Sequence, residues 1–198
     1  SAKAFKLASE IETDWTLAFN AGYQYMLAVK TDEALEMFDK AIEYIDVSEE
    51  ENKEINRMQM IFYKARTLTF AGRYEDALPL LEELEKECPE EFAYPNIRGW
   101  MLRRLYRLEE AEEAINKSML LGPADANPYL EMAMIRKVQG DDKSSNELLD
   151  KIIQMPVSPN YANVMAEALW RLGRYEECRQ LLKDQLPLVL AERNQEQC

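Results

Sequence analysis

The chain has 198 residues, with 37 acidic against 24 basic side chains and a net charge of −13, and its 47% apolar and 31% charged residues fit one folded domain or a short repeat array rather than a disordered tail. No stretch approaches the ~18 consecutive apolar residues that span a bilayer, and an acidic surface has the wrong sign for DNA or RNA, so direct membrane insertion and nucleic-acid binding are both unexpected. Histidine is absent and the three cysteines (Cys88, Cys178, Cys198) stand far apart, which excludes Ser-His or Cys-His catalysis and His-ligated zinc, argues against a disulfide framework, and points to a reducing, cytoplasmic compartment.

Residues 1–14 open on Ser1, as in a processed form or a piece of a longer chain, and contain an amphipathic stretch in which Phe5 and Ala8 are spaced as Phe38 and Ala41 are. They are expected to form a capping helix or a half repeat. From there, small residues return in step. Ala34, Ala77, Ala111, Ser145 and Cys178 are separated by 43, 34, 34 and 33 positions, and twelve residues upstream of each stands Gly22, Ala65, Gly99, Ala133 or Ala166. Two markers in one register predict five helix hairpins, at about 15–48, 49–91, 92–125, 126–158 and 159–190. Helices cross closely only where a side chain is nearly absent, which gives the markers their mechanical purpose.

In the first hairpin, Ala18, Ala21, Gly22 and Tyr25 form one apolar stripe, and Ala34, Leu35, Phe38, Ala41 and Ile42 the other. Nine additional residues precede the second hairpin, within 46–56. Ser48 followed by Glu51 has the spacing of a capping box, so a helix starting near Glu49 is expected there, with an acidic loop as the alternative. Gly72, Gly140 and Gly173 are placed in the turns between paired helices, where a positive φ favours glycine. Pro89, Pro123 and Pro156 mark helix ends. Near the end of the chain, Leu186-Pro187 is expected to break the last helix ahead of a short capping helix, with 191–198 a polar tail.

Gly72-Arg73-Tyr74-Glu75 and Gly173-Arg174-Tyr175-Glu176 are each followed by a small residue three after the Tyr and a Leu four further on. With the 34-residue period, this pattern resembles the tetratricopeptide repeat family over roughly Trp15 to Leu190. Departures are Asp142 at a turn-aromatic position, Pro95 where a large apolar residue is usual, and Cys178 in place of Ala. The resemblance implies an all-α, right-handed superhelical solenoid whose concave wall is lined by the first helix of each pair. It also implies a non-catalytic scaffold that binds a protein or peptide partner.

At about 100° per residue, the positions on that wall hold Phe19, Tyr23, Phe62, Arg66, Trp100, Arg103, Arg104, Lys137, Trp170 and Arg171. The set is basic and aromatic in an acidic chain, so the expected partner carries apolar anchors and carboxylates. The competing reading packs the aromatics into the core and pairs the cations with Glu109, Glu110 or Glu167. Self-association inside a larger assembly, or service as the interaction domain of a longer and enzymatic parent, are the functional alternatives. Acidic pairs such as Glu109 with Glu113 are ordinary solvated neighbours, and the six glycines are scattered singly, so no catalytic residue, metal or cofactor is expected.

Overall fold

Two helices can be brought together only as closely as the side chains at their crossing permit, and in the computed structural model the small markers lie at those crossings. A Cβ added to Gly22 would fall 2.7 Å from the ring of Phe38, and one added to Gly99 would fall 2.6 Å from the Ile115 side chain and 3.1 Å from the Ala111 carbonyl oxygen. Ala34, Ala77 and Ala111 are fully buried. Where the second marker is polar, it bonds to the first: Ser145 Oγ donates to the Ala133 carbonyl at 2.9 Å, and Cys178 Sγ to the Ala166 carbonyl at 3.3 Å. A buried hydroxyl is thereby satisfied at a place with no room for a longer side chain.

The structure describes residues 1–49, 51–156 and 161–195, without the side chains of Glu12 and 186–195. The described residues form eleven α-helices: α1 Ala2–Glu12, α2 Trp15–Leu27, α3 Thr31–Val47, α4 Lys53–Phe70, α5 Tyr74–Glu87, α6 Ala93–Arg104, α7 Leu108–Leu121, α8 Ala126–Val138, α9 Asp142–Gln154, α10 Ala162–Arg171 and α11 Tyr175–Gln195. No strand occurs among them. They fall into two compact units, Ser1–Tyr94 and Pro95–Cys198. In the first, α1 packs on α2, α2 on α3, α3 on α4 and α4 on α5. Its main core gathers Met37, Phe38, Ile45 and Met60 around the small residues. In the second unit, α8 pairs with α9 and α10 with α11, about a core that includes Ile152, Leu149, Met134 and Met165.

Helix starts are set by short polar side chains. Asp14 and Asp125 accept from the backbone N–H two residues on, each at 2.7 Å, and Asp141 from that of Ser144 at 3.0 Å. The turns inside the five pairs share one bond: the N–H of Lys30, Arg73, Arg107, Asp141 or Arg174 donates at 2.9 Å to the carbonyl five residues earlier. This closure requires a left-handed residue just before the donor. Gly72, Gly140 and Gly173 supply it with φ of 73°, 82° and 74°, as expected, but Val29 and Tyr106 occupy the same place at φ 58°.

Two boundaries differ from the sequence expectation. Ser48 does not open a capping box: its Oγ donates back to the Ile45 carbonyl at 2.8 Å and closes α3, so α4 begins at Lys53 rather than near Glu49. The extra residues lengthen both flanking helices. At the other end, α11 continues through Pro187 to Gln195. A proline forfeits one bond of the helical ladder without ending it, so no separate capping helix forms, and 191–195 of the expected polar tail are helical. Residues 196–198 lie outside the described residues.

Candidate protein-interaction site

In the first unit, the side chains expected on the inner wall are largely occupied with one another. The Phe19 ring meets Tyr63 edge-on at a centroid distance of 4.9 Å and lies 6.2 Å from Phe38, while Tyr23 meets Tyr63 at 5.9 Å. All but the buried Phe38 are half-buried and packed against the unit's core. Phe62 is also half-buried, 6.1 Å from both Tyr63 and Tyr94. Arg66 is exposed, with its guanidinium 5.3 Å from the Phe70 ring, and among the described residues it forms no ion pair.

The second unit is arranged differently. On α6, Arg104 lies over the half-buried Trp100 ring at 4.7 Å. Arg103 turns to α8 and pairs with Glu131 at 2.8 Å, both side chains being more than four-fifths covered. Burial pushes the Glu131 carboxyl above its ordinary range even though Arg103 pulls it down by charge and by hydrogen bonding, so desolvation outweighs the ion pair there. Further along, Lys137 meets Asp142 at 2.7 Å and Arg171 meets Glu167 at 2.6 Å, both in solvent. Trp170 is 59% exposed. Lys137, Trp170 and Arg171 line one pocket of about 190 Å³, together with Met134, Leu149 and Tyr175. Three of the ten expected residues are thus brought into a single concavity. Trp100, Arg103 and Arg104 form a separate cluster on α6, and Phe19, Tyr23, Phe62 and Arg66 belong to the first unit.

Among the described residues, no group of three or more Cys, Asp or Glu side chains is placed to hold a metal ion, and no helix is long and apolar enough to cross a membrane.

The model of the tetratricopeptide repeat family matches residues 63–83 and 159–183. Among curated proteins, none matches the chain in sequence. Solved structures do match in fold. A tetratricopeptide repeat protein from Parabacteroides merdae aligns at 20% identity over 92% of this chain and 70% of its own, with a TM-score of 0.67. YrrB, described as a TPR protein with an unusual peptide-binding site, aligns at 20% identity over 77% and 74%, with a TM-score of 0.60. MamA from Desulfovibrio magneticus RS-1 aligns at 16% identity over 89% and 96%, with a TM-score of 0.59. The repeats have the tetratricopeptide fold.

Within the tetratricopeptide frame, the pocket of the second unit also uses residues outside the first helices. Leu149 comes from α9, and Tyr175 opens α11. Counting along first helices alone misses both. A sequence signal exists for Tyr175, which follows the Gly173 turn directly and is 61% exposed. Glu131, two residues before the marker Ala133, gives none: only the fold brings it to Arg103.

Proposed function

We propose that this chain is a non-catalytic protein-interaction scaffold, and that the pocket lined by Met134, Lys137, Leu149, Trp170, Arg171 and Tyr175 takes an apolar side chain of a partner segment that also carries carboxylates. The observation that supports this reading most is an exposed indole in a concavity flanked by two cations. An indole supplies a large buried area at low entropic loss, and guanidinium binds carboxylate in a forked geometry. The present partners of those cations are solvent-exposed acids, and such pairs are worth only about 0–1 kcal/mol, so a partner's carboxylate can displace them. The likeness to a structure described as having a peptide-binding site agrees with this. Self-association is the second reading, favoured by Leu7 and Ile11, which are exposed one turn apart on α1.

Affinity capture from extract of the source cells tests the first reading. Wild type is expected to retain a partner that Trp170→Ala and Arg171→Glu both lose, with melting unchanged; equal capture by all three contradicts it. Arg103 is unsuited as a probe because its reversal would strand Glu131 in the interior. Sedimentation across a concentration series tests the second reading, and a monomer throughout disposes of it.

A further inference from the structure

A thiol and a thioether face each other on the α4–α5 pair of the first unit. Cys88 Sγ donates to Met58 Sδ at 3.6 Å, and both residues are half-buried. Each sulfur is carried by a fixed piece of backbone. Met58 stands in the second turn of α4. Cys88 caps α5, its N–H donating to the Leu84 carbonyl at 2.9 Å while its own carbonyl accepts from the Glu91 N–H at 3.1 Å. The chain is pinned on both sides of the thiol, so the two sulfurs are preorganised.

As a hydrogen bond this contact is worth little, because a thiol is a weak donor and a thioether a weak acceptor. As a pair of metal ligands the same atoms have a definite chemistry. Sulfurs 3.6 Å apart can each reach one ion at about 2.3 Å, the length of a metal–thiolate bond. Thiolate and thioether are soft donors, which select Cu(I). Zinc asks for a full tetrahedral set of donors, and a chain without histidine offers little to complete one here. A monovalent d¹⁰ ion accepts a lower coordination number.

The surroundings suit a cation. Glu87, Glu90 and Glu91 flank Cys88 in sequence and are exposed, so the local field attracts positive charge. Tyr94 lies close by: its phenol is raised above the ordinary 10 by burial, and further by the charges of Cys88 and Glu91. Its ring is 6.1 Å from that of Phe62, one turn beyond Met58 on α4, which places an apolar flank beside the sulfurs. We infer that Met58 and Cys88 form a two-sulfur binding site for a soft monovalent metal ion, Cu(I). The ion displaces the thiol proton to solvent, and the thioether binds through a lone pair. The site shares no residue with the pocket proposed above.

The test uses the full chain as Cys178→Ser/Cys198→Ser, which leaves Cys88 as its one thiol. A serine at 178 can donate to the Ala166 carbonyl as Ser145 does to that of Ala133. Cu(I), supplied anaerobically as its acetonitrile complex, is titrated in competition with the chromogenic chelator bicinchoninate. One ion per chain is expected to be retained. Cys88→Ser should abolish retention, and Met58→Leu should weaken it about tenfold or more with melting unchanged. The selenomethionine form should show selenium beside copper in X-ray absorption, a readout that needs no variant at 58. The proposal is overturned if the chelator strips the ion from the parent chain, if Zn(II) is retained equally, or if two chains share one ion through their Cys88 thiols. It is equally overturned if Met58→Leu binds as tightly and no selenium neighbour is seen, because a single thiolate then holds the ion.

Discussion

The two units build the same helix pairs but use particular first-helix aromatic side chains differently. In the first unit, Phe19 and Tyr23 fold against Tyr63, close over the core and leave little of themselves to a ligand. In the second, Trp170 stands out in solvent beside Lys137 and Arg171, and the space between is open. The difference lies in the neighbours: Tyr63 on α4 gives the rings of α2 something to pack on, whereas Trp170, among the described residues, stands at the rim of a pocket. The repeat frame therefore fixes where a side chain stands, and the residues around it decide whether that position becomes core or site.

The shared frame can be broken first, with the largest effect. Gly99→Leu places four carbons where a single Cβ already meets Ile115 and the Ala111 carbonyl, and should destabilise the chain by about 3 kcal/mol in urea unfolding. A loss too small to measure would mean that the crossing tolerates bulk and that the frame is set elsewhere. The turns offer the opposite sign. Val29→Gly in the first unit and Tyr106→Gly in the second relieve left-handed strain at exposed positions, and each should raise the unfolding free energy by about 1 kcal/mol. A decrease would show that these side chains support the turn.

The smallest effect sharpens the contrast inside the second unit itself. The carboxyl of Glu131 is raised above its ordinary 4.5 by burial, so the folded chain holds that proton more firmly than the unfolded chain does. Its contribution to stability is complete below pH 4.5 and is lost as pH rises through the raised value. Glu112, lowered by its hydrogen bond to Arg136, behaves in the reverse sense: its contribution is present above 4.5 and is lost as pH falls through the lowered value. In unfolding series over that range, the stability of wild type relative to Glu131→Gln should fall with rising pH, and relative to Glu112→Gln it should rise. Parallel curves would remove the distinction between a buried and a half-exposed ion pair.

Much of the frame was legible in the sequence because it depends on side chains that are small or on a backbone that must turn. Gly99 against Ala111, Ser145 against Ala133 and the glycine turns all follow from size and φ preference. The faces were less legible. An angular count along a helix cannot separate Phe19, which reaches inward to Tyr63, from Trp170, which is 59% exposed, since the answer lies on another helix. Val29 and Tyr106 stand where size and branching argue against a left-handed turn, and only the bond from the following residue reveals it. Ser48 could cap forward or backward, and its hydroxyl took the upstream carbonyl. The Arg103–Glu131 pair was hidden because its two members belong to different repeats.

The contrast between a closed wall and an open pocket meets its most direct test in the unfolding free energies of Phe19→Ala and Trp170→Ala, measured side by side in urea. Phe19→Ala should lose about 2 kcal/mol or more, and Trp170→Ala less than about 0.5 kcal/mol. Equal losses, or the larger loss at Trp170, would contradict the assignment of the first ring to the fold and the second to a partner.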